Sequence, residues 1–419
     1  MEIREGYKKT EIGLIPLEWE CVKLDDIGES IIGLTYKPSD VKNNGKLVLR
    51  SCNVYESKLA FTNNVYVDIK VNEKLIVQEN DILICVRNGS RNLIGKCAII
   101  DKKTVGQTFG AFMSVFRSDY GRYLFNCFQS NIVKKQISDN MGATINQITN
   151  KNLNSFYVPL PKSDAEKQAI ATTLSDINGL IISLTKLMDK KKNIKQGAMQ
   201  ELLTGEKRLD GFSADWTIEN VGNLGKAYGG LTGKTKVNFG QGNSRYIPFM
   251  NVMSNPIIDL TFLEYVNIEN GEFQHNVRYG DLFFNTSSET PEEVGMCSAL
   301  IADIKNVYLN SFCFGFRLNN LKEINPLFLA YLFRSNIGRN LMFSLAQGAT
   351  RYNLSKNNFY KLEIKIPEHK EQTAIATLLS DMCNEIDVLE KKLTKYKDIK
   401  QGMMQELLTG RIRLIEGVM

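Results

Sequence analysis

The chain of 419 residues is poor in the side chains on which most enzyme sites depend. It contains only two histidines, His275 and His369. So few leave little from which to build a His-based zinc site or a Ser-His-Asp triad. The eight cysteines are scattered and none forms a Cys-x-x-Cys pair. Such spacing is typical of reduced, mostly buried thiols and not of a disulfide framework.

Long apolar runs are also missing. No segment approaches the roughly 20 apolar residues of a membrane-spanning helix, and the opening MEIREGYKKTEIG lacks the apolar core of a signal peptide. We therefore expect a cytoplasmic protein with no membrane partner. Hydrophobic residues nevertheless make up 43% of the chain and charged residues 23%, which is enough apolar content for folded domains.

An internal duplication organises the chain. Residues 195–205 read KQGAMQELLTG and residues 400–410 read KQGMMQELLTG, so ten of eleven residues match at an offset of 205. Residues 169–176 and 374–381 match at the same offset in seven of eight positions. Because twice 205 is 410, two copies account for almost the whole chain, and repeats of this kind decide the fold.

Apolar residues in the matching segments recur with spacings of four and three, the pattern of a coiled-coil seam. We predict a long helix over 164–209 and another over 369–419, each about 60 Å long at about 1.5 Å per residue. A helix packed only on its own domain is the alternative. The predicted helix-pairing residues are Ile170, Leu174, Ile177, Ile181, Leu184, Met188, Ile375, Leu379, Met382, Ile386, Leu389 and Leu393.

The remaining segments, 1–163 and 210–368, are rich in short strand-like runs such as DILICVRNGS and FCFGFR. Their residues differ between the copies, although anchors such as Asp81 and Asp281 recur at an offset of 200. The fold class is therefore α+β, with two β-rich domains separated by two long helices and related by an internal pseudo-twofold repeat.

Motifs for nucleotide or metal chemistry are incomplete. Gly229–Thr235 reads GGLTGKT, but a phosphate-binding loop needs glycine at position 228, where the chain has Tyr228. Glu363-Ile364-Lys365 has the Glu-x-Lys of metal-dependent nucleases without the Pro-Asp that precedes it. We therefore expect no catalytic residue, no metal site and no cofactor in this chain.

Polar, basic and amide-rich loops remain as candidates, and they suit DNA. Arg and Lys pair with guanine, Asn and Gln pair with adenine, and hydroxyls and lysines hold phosphates. Loops that are merely solvated are the alternative for any single residue. The candidates in the first copy are Thr35, Tyr36, Lys37, Arg50, Asn53, Arg87, Asn88, Ser90, Arg91, Thr144, Asn146, Gln147 and Lys151. Those in the second copy are Thr232, Lys234, Lys236, Arg245, Asn251, Asn285, Ser287, Ser288, Thr350, Arg351, Asn353 and Lys356.

Charge is divided unevenly between the copies. Residues 1–163 carry 22 basic and 17 acidic side chains, a net charge of +5, whereas residues 210–368 carry 14 and 15, a net charge of −1. Neutralising phosphates dominates affinity for duplex DNA. We therefore expect the isolated chain to bind DNA weakly unless a partner supplies more positive surface.

The order of these features resembles the specificity subunit of type I restriction–modification systems. Each copy has a Trp followed nine positions later by Gly (Trp19 and Gly28, Trp216 and Gly225), then Gly-Leu-Thr, a late Gly-Ala-Thr, and a Glu that precedes Ala-Ile. The opening Tyr7 to Trp19 is also typical of such subunits. One departure is Lys167, where the pattern has Gln.

The resemblance implies a function without catalysis. Each β-rich segment would be a target recognition domain that reads one half of a bipartite DNA sequence, and the two helices would pack antiparallel and fix the spacer. The implied partners are double-stranded DNA, two modification (methyltransferase) subunits and restriction (translocase and nuclease) subunits. S-adenosylmethionine, ATP and Mg would then lie on those partners. A protein-binding adaptor for assembly remains the alternative, and a self-contained methyltransferase–nuclease lacks its motifs.

Overall fold

The duplication seen in the sequence recurs in the fold. The computed structural model describes residues 5–141, 146–348 and 350–414. The chain divides into unit 1, residues 1–185 with 392–419, and unit 2, residues 186–391. The four segments expected from the sequence thus form two units. Each unit contains one β-rich segment, and each long helix contributes residues to both units.

Unit 1 is built from short strands and helices. Its strands are β1 (Tyr7–Thr10), β2 (Gly13–Pro16), β3 (Glu20–Lys23), β4 (Glu29–Ile32), β5 (Val41–Lys42), β6 (Lys46–Leu49), β7 (Val54–Tyr55), β8 (Lys58–Leu59), β9 (Tyr66–Val67), β10 (Ile82–Cys85), β11 (Cys97–Ile99), β12 (Thr108–Phe109), β13 (Met113–Arg117) and β14 (Tyr157–Leu160). Its short helices are α1 (Gly121–Gln129), α2 (Asn131–Asn140) and α3 (Asn150–Asn154).

The long helix α4 (Asp164–Leu202) then leads into unit 2. The strands of unit 2 are β15 (Thr217–Asn220), β16 (Gly225–Gly229), β17 (Phe239–Ile247), β18 (Glu264–Val266), β19 (Leu282–Asn285), β20 (Ser287–Ser288), β21 (Cys297–Ala299), β22 (Val307–Leu309), β23 (Cys313–Leu318), β24 (Ala346–Gln347), β25 (Tyr352–Leu354) and β26 (Glu363–Ile366). Its helices are α5 (Val221–Leu224), α6 (Phe249–Ser254), α7 (Pro326–Arg334), α8 (Asn336–Ser344), α9 (Lys356–Phe359) and the long α10 (His369–Leu408).

A four-stranded antiparallel sheet forms the centre of each unit, in the order β11-β10-β13-β4 in unit 1 and β21-β19-β23-β16 in unit 2. Ile82 and Ile84 face one apolar cluster, and Leu83 and Cys85 face another. Burial of both faces explains why these strands are continuous apolar runs. An ion pair braces each sheet: Arg117 contacts Asp81 at 2.7 Å, and Arg317 contacts Asp281 in the same way.

The long helices begin at the predicted residues, Asp164 and His369, and end at Leu202 and Leu408, before the predicted limits. All twelve predicted helix-pairing residues are buried or half-buried. Ile170 and Leu174 share a core with the β-rich segment of unit 1. The first turns of α4 therefore pack on their own domain, as the alternative interpretation proposed for the whole helix.

Within each unit the start of one long helix lies beside the end of the other. In unit 1, Leu407 and Leu408 share a core with Ile170, and the Lys400 ammonium group donates to the side-chain amide oxygen of Asn178 at 2.9 Å. In unit 2, Leu202 at the end of α4 shares a core with Ile375 near the start of α10, and Lys191, earlier in α4, pairs with Glu385, later in α10, at 2.7 Å. The two segments therefore run antiparallel in each unit.

An arginine beyond each helix end holds the start of the other helix. Arg413 donates to the Glu166 carboxylate at 2.5 and 2.9 Å, and Arg208 donates twice to Glu371 at 2.6 Å. Both carboxylates are 1% exposed, so each needs a charged partner. Lys167, which departs from the family pattern, donates to the Pro161 carbonyl at 3.1 Å, the same kind of bond that the Gln at its counterpart makes.

Glycines at matched positions give a prediction for stability. Gly410 follows α10 with φ +68°, and an added Cβ would meet Pro16 Cγ at 2.5 Å. Gly402 lies inside α10 with nothing within 4 Å of such a Cβ. We expect Gly410→Ala to lower the free energy of unfolding by at least about 1–2 kcal/mol. Gly402→Ala should raise it by up to about 1 kcal/mol. Chemical denaturation of the purified chain measures both.

Gly205, the counterpart of Gly410 in the first copy, provides the control. Gly205 has φ +74°, but its Cβ would sit 3.4 Å from Trp216, an ordinary contact. Gly205→Ala should therefore destabilise less than Gly410→Ala does. Equal effects of the two substitutions would show that the close contact with Pro16 does not contribute to the loss of stability.

Among the described residues, no helix is both long enough and apolar enough to cross a membrane.

Candidate nucleic-acid interface

In unit 1, several predicted DNA-binding loops meet along one edge of the sheets. The loop after β4 is fixed by the Leu34 N–H, which donates to the Phe109 carbonyl at 2.7 Å, and by the Ala111 N–H, which donates to the Leu34 carbonyl at 2.9 Å. The loop after β6 joins them because the Gly110 N–H donates to the Leu49 carbonyl at 2.9 Å.

The loop after β10 completes this edge. The Arg87 N–H donates to the Phe112 carbonyl at 3.2 Å, and the Asn88 N–H donates to the Asn146 carbonyl at 3.2 Å. The Asn88 side chain reaches the Ser51 hydroxyl at 3.2 Å. We call this set of loops the first edge, and it consists of residues 34–37, 50–53, 86–91, 110–113 and 146–148.

Unit 2 repeats the same arrangement. The Leu231 N–H donates to the Leu309 carbonyl at 2.7 Å, and the Thr286 N–H donates to the Phe312 carbonyl at 2.9 Å. The Leu354 N–H in turn donates to the Thr286 carbonyl at 2.8 Å. We call this set the second edge, and it consists of residues 231–235, 285–288, 309–313 and 350–354.

The edges contain most of the predicted residues, although not all are free to bind. Exposed side chains on the two edges are Thr35, Lys37, Arg87, Ser90, Arg91, Thr232, Thr350, Arg351 and Asn353. Half-buried ones are Tyr36, Arg50, Asn88, Asn146, Gln147, Lys234 and Ser288. Lys151 and Lys356 are exposed on the short helices that follow, and Lys236 and Arg245 are exposed at or before β17. Thr144 lies outside the described residues.

Three predicted asparagines have structural roles instead. Asn53, Asn251 and Asn285 are each 0% exposed. Their amides donate to main-chain carbonyls across a turn, Asn53 to Ala60 at 2.9 Å, Asn251 to Asp259 at 2.8 Å and Asn285 to Glu293 at 3.0 Å. Since buried amides satisfied in this way hold the backbone, we leave these residues out of the interface. Ser287 is also buried, and its hydroxyl accepts from Arg351.

Lys234 is likewise engaged within the fold. Its ammonium group pairs with the Glu272 carboxylate, and its side chain is only 6% exposed. The bonds from Lys234 and from Gln274 lower the pKa of Glu272 to about 2. The carboxylate is therefore charged at neutral pH, and the pair fixes the loop of Lys234 against its neighbours.

Two functional candidates escaped the sequence analysis. Phe112 is 58% exposed and Phe312 is 56% exposed, and the carbonyl of each accepts from the backbone of the neighbouring loop. The Arg87 guanidinium lies over the Phe112 ring at 5.1 Å. Isolated exposed apolar residues are normal, but these two occupy matching places on both edges. Their common offset of 200 was the signal that could have revealed them.

Two buried cysteines of unit 1 are not suited to thiol chemistry. Burial raises the pKa of Cys97 and of Cys127 to about 12, so both thiols are protonated and unreactive at neutral pH. Within the described ranges, no group of three His, Cys, Asp or Glu side chains is arranged to hold a metal ion.

Comparison with known proteins agrees with this organisation. The model of the type I restriction modification DNA specificity domain matches residues 16–196 and again residues 214–397. A protein of Methanocaldococcus jannaschii named for the specificity subunit of the type I restriction enzyme MjaX is 27% identical, with 98% of this chain and 97% of the relative covered. The EcoKI specificity subunit of Escherichia coli is 22% identical, with 96% and 90% covered.

A solved structure shares the fold. The crystal structure of a type I restriction-modification S subunit from M. genitalium has a TM-score of 0.60 to this chain at 14% identity, with 97% of this chain and 98% of that chain covered. The two matches to the family model span most of the sequence and coincide with the two copies of the repeat. The chain belongs to the family of type I restriction–modification DNA specificity proteins.

Proposed function

We propose that this chain is the DNA-reading subunit of a type I restriction–modification complex, and that each edge reads one half of a bipartite target. The observation that carries this proposal is the repetition of one loop framework with different side chains. At matching places the first edge has Arg87 and Asn88, whereas the second edge has Ser287 and Ser288. One framework with different side chains suits two readers of different sequences.

The spacing between the half-sites would be set by α4 and α10. Each helix is about 60 Å long at about 1.5 Å per residue, which exceeds the roughly 34 Å of one duplex turn. The antiparallel contacts within each unit support a continuous antiparallel coiled coil of the two helices. An antiparallel pair relates the readers by a pseudo-twofold axis, and recognition of duplex DNA favours this symmetry.

The catalytic steps would belong to other subunits. Two modification subunits would supply S-adenosylmethionine and methylate adenine, and restriction subunits would supply ATP- and Mg-dependent translocation and cleavage. Those cofactors therefore have no site in this chain in our proposal. The assembled complex would act on DNA in the cytoplasm and would grip the duplex more strongly than this chain alone.

Arg87 provides the test of base reading at the first edge. It is exposed and lies over the Phe112 ring, so its guanidinium is free to make a bidentate contact with guanine. We expect Arg87→Ala to weaken binding of the assembled methyltransferase complex by about 1–3 kcal/mol, and to relax discrimination at one base pair of one half-site. Competition binding with duplexes varied at each position measures this loss.

Two further variants sharpen the comparison. Arg87→Lys keeps the charge but loses the fork geometry, so it should not restore discrimination. Arg122→Ala removes an exposed arginine of α1 outside the edge and should have no effect. A loss shared equally by all duplexes, with a salt slope smaller by about 1, would instead identify a phosphate contact.

A further inference from the structure

Unit 1 contains a basic cleft beside the first edge. Its volume is about 830 Å³, and it lies between the loop after β10, helices α1 and α2, and the end of α10. Five cationic side chains line it: Arg91, Lys96, Lys134, Lys397 and Lys400. None of the described residues that line the cleft is Asp or Glu. The cleft therefore concentrates positive charge that no lining carboxylate neutralises.

The cations in this cleft are poorly satisfied by the fold. Among the described residues, the structure pairs neither Lys134 nor Lys397 with a carboxylate, and both are exposed. Within the described part of the chain, Lys400 has only side-chain amide oxygens as partners, on Gln129 and Asn178. Burial, and then the nearby charges of Lys134 and Lys58, lower the pKa of Lys400. An anion in the cleft would relieve this repulsion between like charges.

Unit 2 has the same framework, but the cations at the matching positions already bind other groups of unit 2. Arg334 corresponds to Gln129 because α7 follows α1 at an offset of 205. It donates to the carbonyls of Val252, Met253 and Asn255 at 2.6, 2.9 and 2.8 Å. The segment around α6 therefore covers this part of unit 2.

The counterparts of the two exposed lysines are also engaged in unit 2. Arg339, the counterpart of Lys134, donates to the carbonyls of Glu292 and Gly295 at 2.8 and 3.0 Å. Lys192, the counterpart of Lys397, pairs with Glu390 at 2.6 Å. The open basic cleft is thus a property of unit 1, and it agrees with the net charge of +5 that residues 1–163 carry.

We infer that the cleft of unit 1 binds phosphates of the DNA strand that flanks the half-site read by the first edge. Continuity with that edge favours DNA over an acidic segment of a protein. Arg91 belongs to both surfaces, and the Lys96 ammonium group donates at 3.1 Å to the carbonyl of Ser51, which is part of the first edge. A strand whose bases face the edge can therefore place its next phosphates at the cleft. The inference rests on the proposed DNA-reading function.

The same geometry predicts asymmetry between the half-sites. Phosphate contacts beyond the first half-site would have no full equivalent beyond the second, because Arg339 and Lys192, the counterparts of Lys134 and Lys397, bind carbonyls and a carboxylate. Phosphate contacts strengthen binding to every sequence alike, since they carry no base information. The cleft would therefore anchor one end of the target more firmly than the other.

The test uses Lys134→Gln with Lys397→Gln in the complete chain, assembled with its methyltransferase partner. Each phosphate contact contributes about 0.9 to the slope of log affinity against log salt. We expect the slope to become less steep by about 2 with weaker binding to all duplexes. Ethylation of phosphates flanking the first half-site should then no longer interfere with binding. The matched control is Lys135→Gln with Lys395→Gln, exposed neighbours on the same helices that do not line the cleft, and it should leave the slope unchanged.

Three results would overturn the inference. If the variant complex still binds its target specifically with an unchanged salt slope, the phosphate-binding role of the cleft is refuted and the proposed DNA-reading function is not. Loss of the methyltransferase partner in gel filtration without DNA, at an unchanged slope, would show that the cleft binds protein. A wild-type complex with no sequence preference would instead refute the proposed function on which the inference rests.

Discussion

We expect the exchange of residues 16–160 for the equivalent segment of another specificity protein to change one half of the recognised DNA sequence and to preserve the other half. The first edge lies entirely within this segment, and the second edge lies entirely within unit 2. Each mismatched base pair costs about 1–3 kcal/mol. Three mismatches in the old half-site should therefore weaken binding to the old target at least about 100-fold.

Sequencing of methylated adenines in DNA exposed to the assembled complex measures this change. The incoming segment must keep the tryptophan at position 19, because the Trp19 indole donates to Glu166 at 3.1 Å at the start of α4. The reciprocal exchange of residues 213–366 is the matched control and should alter only the other half-site. A change in both half-sites, or in neither, would refute the assignment of one reader to each edge.

We expect that lengthening both long helices by one heptad will increase the spacer between the two half-sites. Seven residues add about 10.5 Å to a helix, close to the rise of three base pairs at about 3.4 Å each. One insertion lies within residues 176–190 and its counterpart within residues 381–395, so that the apolar seam keeps its register. We expect the preferred spacer to grow by about three base pairs, with a strong loss of binding at the original spacing.

Selection from a library of duplexes with graded spacers provides the measurement. Seven residues inserted at the exposed turn of Lys102 and Lys103 form the control, because that turn lies outside both helices. A spacer that stays the same after the paired helix insertions would remove the measuring role from α4 and α10. If the lengthened protein no longer unfolds cooperatively, the test would be repeated with shorter insertions made in both helices at the same positions.

The helices and central strands could be predicted because local patterns determine them. Spacings of four and three from Ile170 onward predict α4, and continuous apolar runs such as the one around Ile82 mark strands buried on both faces. The ends were harder to predict. Gly205 and Gly410 stop the pattern clearly, but the helix hydrogen bonds finish at Leu202 and Leu408, before the residues that the repeat includes.

Individual interface residues were less predictable, since one residue type serves two purposes in loops. Asn53 and Asn88 both lie in polar loops, yet one is buried and holds the backbone while the other is half-buried on the edge. Phe112 was overlooked for the opposite reason. An apolar residue beside a strand is normally predicted to lie in the hydrophobic core, whereas Phe112 is exposed on the first edge. The basic cleft needs tertiary structure altogether, since it brings Lys134 and Lys397 together from distant parts of the chain.

The division of the chain into units has a consequence for synthesis on the ribosome. Unit 2 is one continuous stretch, residues 186–391, whereas unit 1 needs residues 392–414 to cover Ile170 and Leu174 and to pair Glu166 with Arg413. The first 185 residues therefore wait while about 200 more are made, roughly 10–40 s at about 5–20 residues per second. During that interval the apolar face of the first turns of α4 lacks the end of α10, and every residue of unit 2 has been made before the residues of unit 1 are complete.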